Sequence, residues 1–302
     1  MGHVKRILAG KEFANNAEMN AFLATLTGTG LQQALGEMGA ASPSEEAQDL
    51  AYQAMEARTE AQAKRLAKRA LAKDPDCIDA LIVLTSVDAN SPKQAIEGLQ
   101  KAIAAGERSL GPKFFKENKG HFWGLLETRS YMRARQQLAE LYQDVGLLQD
   151  AISHYAAMLE LNPNDNQGVR DPLLGLYLRT GDLDGAGKLL QRYKRDASAT
   201  FAWGRVLERL LAADMEGAAA ALKTARKANP FMELYMSAQR TFPKDMPDSY
   251  AMGSPEEAII SLEGLAPAWL EHPEAMLWLL TQILAEQPQS RSGRRGKKRF
   301  IQ

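Results

Sequence analysis

The residues best equipped for acid–base or metal chemistry are scattered. Of the four histidines, His3, His121, His154 and His272, no two lie three or four positions apart, so neither a paired-histidine zinc motif nor a two-histidine facial site is spelled out. Cys77 stands alone, which excludes an intrachain disulfide, a CxxC redox pair and a cysteine-rich zinc cluster. It falls just after a helix end, beside Pro75 and Ile78, the setting of a buried structural thiol. His121, in GHFWG with Glu127 and Arg129 close by, could form a polar pocket or simply pack in a loop. The glycines of GDLDGAG, Gly181, Gly185 and Gly187, look like a phosphate loop, but no strand precedes them. NPNDNQG (162–168) is rich in oxygen ligands, yet counting from Asn162 puts Leu173 at the twelfth position, where a calcium loop needs a bidentate glutamate. Asparagine and aspartate there suit an inter-helix turn. No catalytic residue, metal ligand or cofactor site is assigned.

Two constellations suit binding. One is a row of polar and aromatic side chains at helical spacing: Arg133, Gln136, Gln137 and Glu140, then Arg170, Asp171 and Arg179, then Trp203 and Leu207. Arginines with amides beside them can hold an acidic peptide or a terminal carboxylate through charge-assisted hydrogen bonds. The same row also suits a solvated helix face carrying i,i+4 pairs. A one-step rotation of the register would bury Trp203 in the core. The lysine–asparagine pattern of a chaperone-tail carboxylate clamp is not matched. The second constellation is the tail SRSGRRGKKRF, with Arg291, Arg294, Arg295, Lys297, Lys298 and Arg299. Such a cluster can neutralise phosphates without reading sequence, and Phe300 could stack on a base. A solubilising tail is the plainer reading.

These residues must be carried by helices. RARQQLAELYQDVGLLQDAISHYAAMLELNPND (133–165) fits one tetratricopeptide unit of about 34 residues, with Leu138, Ala139 and Tyr142 on helix A, Gly146 at the turn, Ala151 and Tyr155 on helix B, and Pro163 closing it. The next unit repeats the pattern with Leu173, Leu174, Tyr177, Gly181 and Ala186, and a third with Val206, Ala218, Leu222 and Pro230. Two more hairpins lie upstream, one through Leu50, Ala63, Ala67 and Ala70, the other through Leu81, Leu84, Ala95 and Ala102. Ser91-Pro92 and Ser254-Pro255 read as N-caps followed by proline in the first turn. Asp171-Pro172 should likewise start its helix late, leaving 167–170 as a separate turn.

The predicted fold is all-α, a right-handed tetratricopeptide-like superhelix without strands. Its divisions are an N-terminal extension with a short helix (1–42), about five hairpins (43–236) with an insertion at 106–130 broken by glycines and Pro112, capping helices (237–287), and a disordered basic tail (288–302). The 37 acidic and 37 basic residues cancel, so bulk charge points to neither nucleic acid nor membrane as the main partner. The N-terminus lacks the apolar core of a signal peptide, and no stretch is long and apolar enough to span a bilayer. A cytoplasmic location and no membrane partner are therefore expected.

LELNPNDNQGVR (159–170), GHFWG (120–124), ETRSYMRAR (127–135) and KANPFM (227–232) go beyond a generic repeat. With EFANNAEMNAFLATL (12–26) and DPDCIDALIVL (74–84), they resemble uncharacterised bacterial tetratricopeptide proteins assigned by similarity to the suppressor-of-tumorigenicity-7 family. The resemblance implies a helical repeat fold and no established activity. Asp171-Pro172 departs from that group, which usually continues there with an aromatic residue and leucines. The first functional reading is a scaffold that binds a protein or peptide partner in the helix A groove without catalysis. The alternative is a nucleic-acid-associated factor that uses the tail. An enzyme would have only the 106–130 segment to rest on.

Overall fold

A computed structural model describes residues 41–286, together with Glu18, Ala21, Phe22 and Ala24, which are helical. The rest of the N-terminal extension, and the tail with Arg294, Arg295, Lys297, Lys298 and Arg299, lie outside the described residues. The described residues form thirteen α-helices and no strand. The chain divides into two compact units, Met1–Asn166 and Gln167–Gln302.

In the first unit, α1 (Pro43–Met55) pairs with α2 (Glu60–Lys73), α3 (Ile78–Asp88) with α4 (Pro92–Asn118), and α5 (Arg129–Asp144) with α6 (Leu148–Leu161). Local sequence sets the boundaries. Ser42 accepts from Glu45 N while the Glu45 side chain accepts from Ser42 N, a reciprocal capping box, with Pro43 in the first turn. Thr59 and Ser91 cap α2 and α4. Small residues sit where helices approach closely: Ala51, Ala67, Ala70, Ala102, Ala139 and Ala151 have no exposed surface.

Most of the expected 106–130 insertion is helix. α4 continues to Asn118 and breaks only at Gly111, whose φ of 74° and ψ of 157° lie outside the helical region, just before Pro112. Two 3-10 turns, Phe122–Gly124 and Leu126–Thr128, then lead into α5. The segment is held by an aromatic cluster of Phe114, Phe115, Phe122 and Tyr131. Thr128 Oγ1 donates to Leu125 O at 2.8 Å and also to Phe122 O. His121 is exposed, and the Arg129 guanidinium lies over the Trp123 ring. This is packing around a corner of the chain.

In the second unit, α7 (Arg170–Arg179) pairs with α8 (Leu183–Arg192), and α9 (Ala199–Leu211) with α10 (Met215–Ala228). α7 starts at Arg170, one residue before the predicted cap; Pro172 falls in its first turn, where the missing N–H would have no intrahelical partner. Asp182 and Asp214 cap α8 and α10 through Gly185 N and Gly217 N. The turns before them close alike, with Asp182 N bonded to Tyr177 O and Asp214 N to Arg209 O. The left-handed position is Gly181 in the first turn but Ala213 (φ 58°) in the second.

The C-terminal helices, expected from the sequence as caps, pack on the A helices of the second unit. After α11 (Met232–Met236), the chain loops to α12 (Pro255–Glu271), which packs along both α7 and α9, the A helices of this unit. The last helix, α13 (Pro273–Glu286), packs against α12 and α9.

Candidate functional site

Within each unit the A helices pack beside one another, α1, α3 and α5 in the first and α7 and α9 in the second, so the question is what covers them in each unit. In the second unit it is α12. Gly175 of α7 meets Gly264 of α12 so closely that a Cβ built on Gly175 would stand 2.3 Å from the Gly264 carbonyl oxygen. Glu257 of α12 is 1% exposed. Its Oε1 accepts from Ala199 N at 2.9 Å, at the first turn of α9, where a carboxylate meets the positive helix end. Its Oε2 accepts from Asn229 Nδ2 at 3.0 Å and Gly253 N at 2.6 Å. Asn229 Nδ2 also donates to Ser254 O, and its backbone carbonyl accepts from Trp203 Nε1 at 3.3 Å. His272 Nε2 lies 3.0 Å from Leu178 O.

The second-unit part of the sequence-predicted groove is therefore interior or engaged. Trp203 and Leu207 have no exposed surface; the one-step rotation of the register is the one adopted. Arg179 pairs with Glu271 of α12 at 3.2 Å. Arg170 pairs with Asp196 at 2.8 Å and lies over the Tyr193 and Phe201 rings. Asp171 is half-buried at the start of α7. The physical reason is that an A helix of a repeat has two apolar neighbours and only a narrow outer strip. A polar or aromatic residue near that strip can point either way, and here the chain supplies its own covering helix.

In the first unit, among the described residues, no further helix returns over α1, α3 and α5 as α12 does over α7 and α9. The organising residue of these three helices is Asp79, a fully buried carboxylate in an otherwise apolar stretch of α3. Gln48 Nε2 of α1 donates to it at 2.6 Å and Ser130 Oγ of α5 at 2.7 Å. Arg133 of α5 makes a forked pair, Nη2 at 3.0 Å from both carboxylate oxygens and Nε at 3.2 Å from Oδ1. One carboxylate thus ties three consecutive A helices, and its charge is matched by a guanidinium still 39% exposed. Arg133 is not the free cation expected from the sequence, because its Nε and Nη2 are already committed. Tyr52, beside this node, has its hydroxyl pKa raised, first by burial and then by the Asp79 charge.

Next to the node lies a cleft of about 480 Å³, formed by the end of α1, the α1–α2 turn, α3 and α5. Met55, Ala63, Ile82 and Val87 give it apolar surface; Arg58, Arg133 and Gln137 supply donors. Arg58 is exposed and makes no ion pair among the described residues. Gln136 donates to Glu140 at 2.9 Å, and partial burial raises the Glu140 pKa. Arg133 and Gln137 were legible in advance. Asp79, Gln48, Met55 and Arg58 were not singled out, although a lone aspartate inside IDALIVL was a usable signal, since a carboxylate is rarely buried without a partner.

Other chemistry-bearing groups are structural. Cys77 is buried, and burial pushes its thiol up to about 11, the opposite of a reactive thiolate. His154 is pushed down to about 4 by burial and by the neighbouring Arg135. Among the described residues no group of three histidine, cysteine, aspartate or glutamate side chains could hold a metal ion, and no helix is long and apolar enough to cross a membrane.

No protein-family model and no curated protein matches the chain, so the suppressor-of-tumorigenicity-7 resemblance rests on the quoted segments alone. Among solved structures the chain is similar to a tetratricopeptide repeat protein from Parabacteroides merdae, at 15% identity and a TM-score of 0.42, covering 82% of this chain and 81% of that one. It is also similar to BtubC (BKLC) from P. vanneervenii, at 17% identity and a TM-score of 0.35, covering 83% and 98% respectively.

Proposed function

We propose that the protein is a non-catalytic interaction scaffold that binds a peptide segment of a protein partner in the first-unit cleft. The observation that carries the reading is the cleft beside the Asp79 node, with apolar side chains in it and donors around it. Met55, 41% exposed, offers an adaptable apolar surface for a partner side chain. Arg58 suits an acidic residue or terminal carboxylate next to that anchor. The amide of Gln137 suits the partner's backbone. The Asp79 node keeps the three helices in register, so the cleft is formed before a ligand arrives, which lowers the ordering cost of binding. A cytoplasmic setting belongs to the same proposal and agrees with a lone, buried, unpaired thiol.

The test is affinity capture with wild type and with Met55→Glu and Arg58→Glu, both at exposed positions. A photo-crosslinking residue at Gln137 should mark the bound segment. The expected result is a partner that crosslinks at 137 and is lost from both variants while their melting temperatures stay at the wild-type value. A partner captured equally by both variants overturns the proposal.

A further inference from the structure

The cleft beside the Asp79 node contains a donor that the fold leaves unused. Arg133 commits Nε and Nη2 to the Asp79 carboxylate, at 3.0–3.2 Å, and its Nη1 has no hydrogen-bond partner among the described residues. The side chain is 39% exposed and lines the cleft. A guanidinium is planar and carries five N–H donors, so engaging its Nε–Nη2 edge on one carboxylate turns the Nη1 donors away from that carboxylate. Asp79 therefore fixes the plane in which Nη1 is presented. Gln48 Nε2 and Ser130 Oγ also donate to Asp79 and share in satisfying its charge, which leaves the Arg133 cation able to serve a second acceptor. One turn along α5, on the same face, Gln137 lines the same cleft with an amide that also has no partner among the described residues. α3 lies between α1 and α5, and its Ile82, Val83 and Val87 form the apolar part of the cleft with Met55 of α1.

We infer that Arg133 is the residue that selects the ligand: through Nη1 it reads an acidic side chain, aspartate or glutamate, within the bound peptide segment, beside an aliphatic side chain seated on Met55, Ile82 and Val87. The inference rests on the cleft being the binding site and adds what the cleft reads. Charge selects a carboxylate. The cations of the cleft, Arg58 and Arg133, are matched in number by Glu60 in its lining and Asp79 at its node. A single carboxylate is met by the directed N–H donors of Nη1, whereas a phosphate dianion calls for an excess of positive charge that the cleft does not hold. Gln137 selects a side chain over a chain end. Its amide offers donors and an acceptor together, the complement of a peptide unit, so the segment continues past the acid instead of stopping there. Because Asp79 already holds the guanidinium, little side-chain freedom is left to lose on binding. Arg58, exposed in the α1–α2 turn, has no such brace and adds only general attraction.

A displayed library of random short peptides, selected on the full chain, should enrich aspartate or glutamate at a fixed distance from an aliphatic residue. A selected peptide is then made with its C-terminus amidated, in three forms: the acid, its side-chain amide counterpart, and phosphoserine at the same place. Fluorescence anisotropy should show the acid binding about 10- to 100-fold tighter than the amide, as a hydrogen bond to a charged group implies. Arg133→Lys leaves a cation on Asp79 and removes only the directed Nη1, so it should bring the ratio of acid to amide affinity close to one. Both affinities are read on the same folded protein, so a loss of stability does not mimic that result. Met55→Glu should weaken both forms. If Met55→Glu abolishes binding while Arg133→Lys keeps the ratio, the cleft reading stands and the role of Arg133 is overturned. A library that enriches no acid, or a phosphoserine peptide that binds tighter than the acid, overturns it as well. So does an affinity lost on amidating the C-terminus, which would put a terminal carboxylate in place of the side chain. Peptides that ignore Met55→Glu, or a selection that enriches none, overturn the cleft reading and this inference with it.

Discussion

Replacing Arg133 by Met should cost the first unit about 3 kcal/mol, near the low end of what breaking a buried ion pair costs. The figure follows from the asymmetry of the pair. Asp79 has no exposed surface, whereas the Arg133 side chain is 39% exposed. Removing the guanidinium leaves a carboxylate that water cannot reach, with only Gln48 Nε2 and Ser130 Oγ as donors. Removing the carboxylate instead, as Asp79→Asn, strands a cation that can still turn to solvent, so it should cost less, about 1–2 kcal/mol from lost hydrogen bonds. The two changes are not independent, because both act on one contact. The double variant should therefore be more stable than the sum of the singles predicts, by about 1–3 kcal/mol, the usual range for residues sharing a network. Urea titrations at pH 7, followed by far-ultraviolet circular dichroism, measure all four corners of the cycle. The transition of the first unit is to be fitted separately, since two compact units need not unfold together. Additivity within about 0.3 kcal/mol, the behaviour of distant sites, would refute the assignment of Asp79 as the charge that Arg133 serves.

Three further outcomes follow from other contacts. Gly175→Ala should loosen α12 from α7, because its Cβ would fall 2.3 Å from the Gly264 carbonyl; backbone cannot yield cheaply there, so a loss of roughly 1–3 kcal/mol and faster hydrogen exchange in α12 are expected, and a wild-type melting curve would contradict the packing. Ala213→Gly should raise stability by up to about 1 kcal/mol, because Ala213 holds the left-handed conformation that Gly181 takes without strain in the preceding turn; a lower melting temperature would contradict it. His154 is held neutral, with its pKa at about 4. The unfolded chain therefore binds an extra proton between about pH 6.5 and 4, and stability should fall as the pH drops through that window. His154→Gln should flatten this part of the acid limb, and an unchanged slope would show that other groups carry it.

The all-α class, the pairing of helices into hairpins and most of their boundaries were written in the chain. Those signals are local: caps such as Ser42 and Ser91, left-handed turns at Gly146 and Gly181, and alanines such as Ala151 and Ala186 wherever two helices cross closely. Local rules act through neighbours a few residues apart, so they can be read without knowing the rest of the fold. That the A helices of the second unit are covered was not legible. It depends on α12 returning to cover α7 and α9, and nothing in the sequence of α12 names that destination. The same tertiary step buried Trp203 and turned Arg179 toward Glu271, and another turned Arg133 toward an aspartate 54 residues away. An arginine at helical spacing has the same pattern whether it faces water, a ligand or a buried carboxylate. Only the three-dimensional placement of the opposing charge, and the area that covers it, decides among the three.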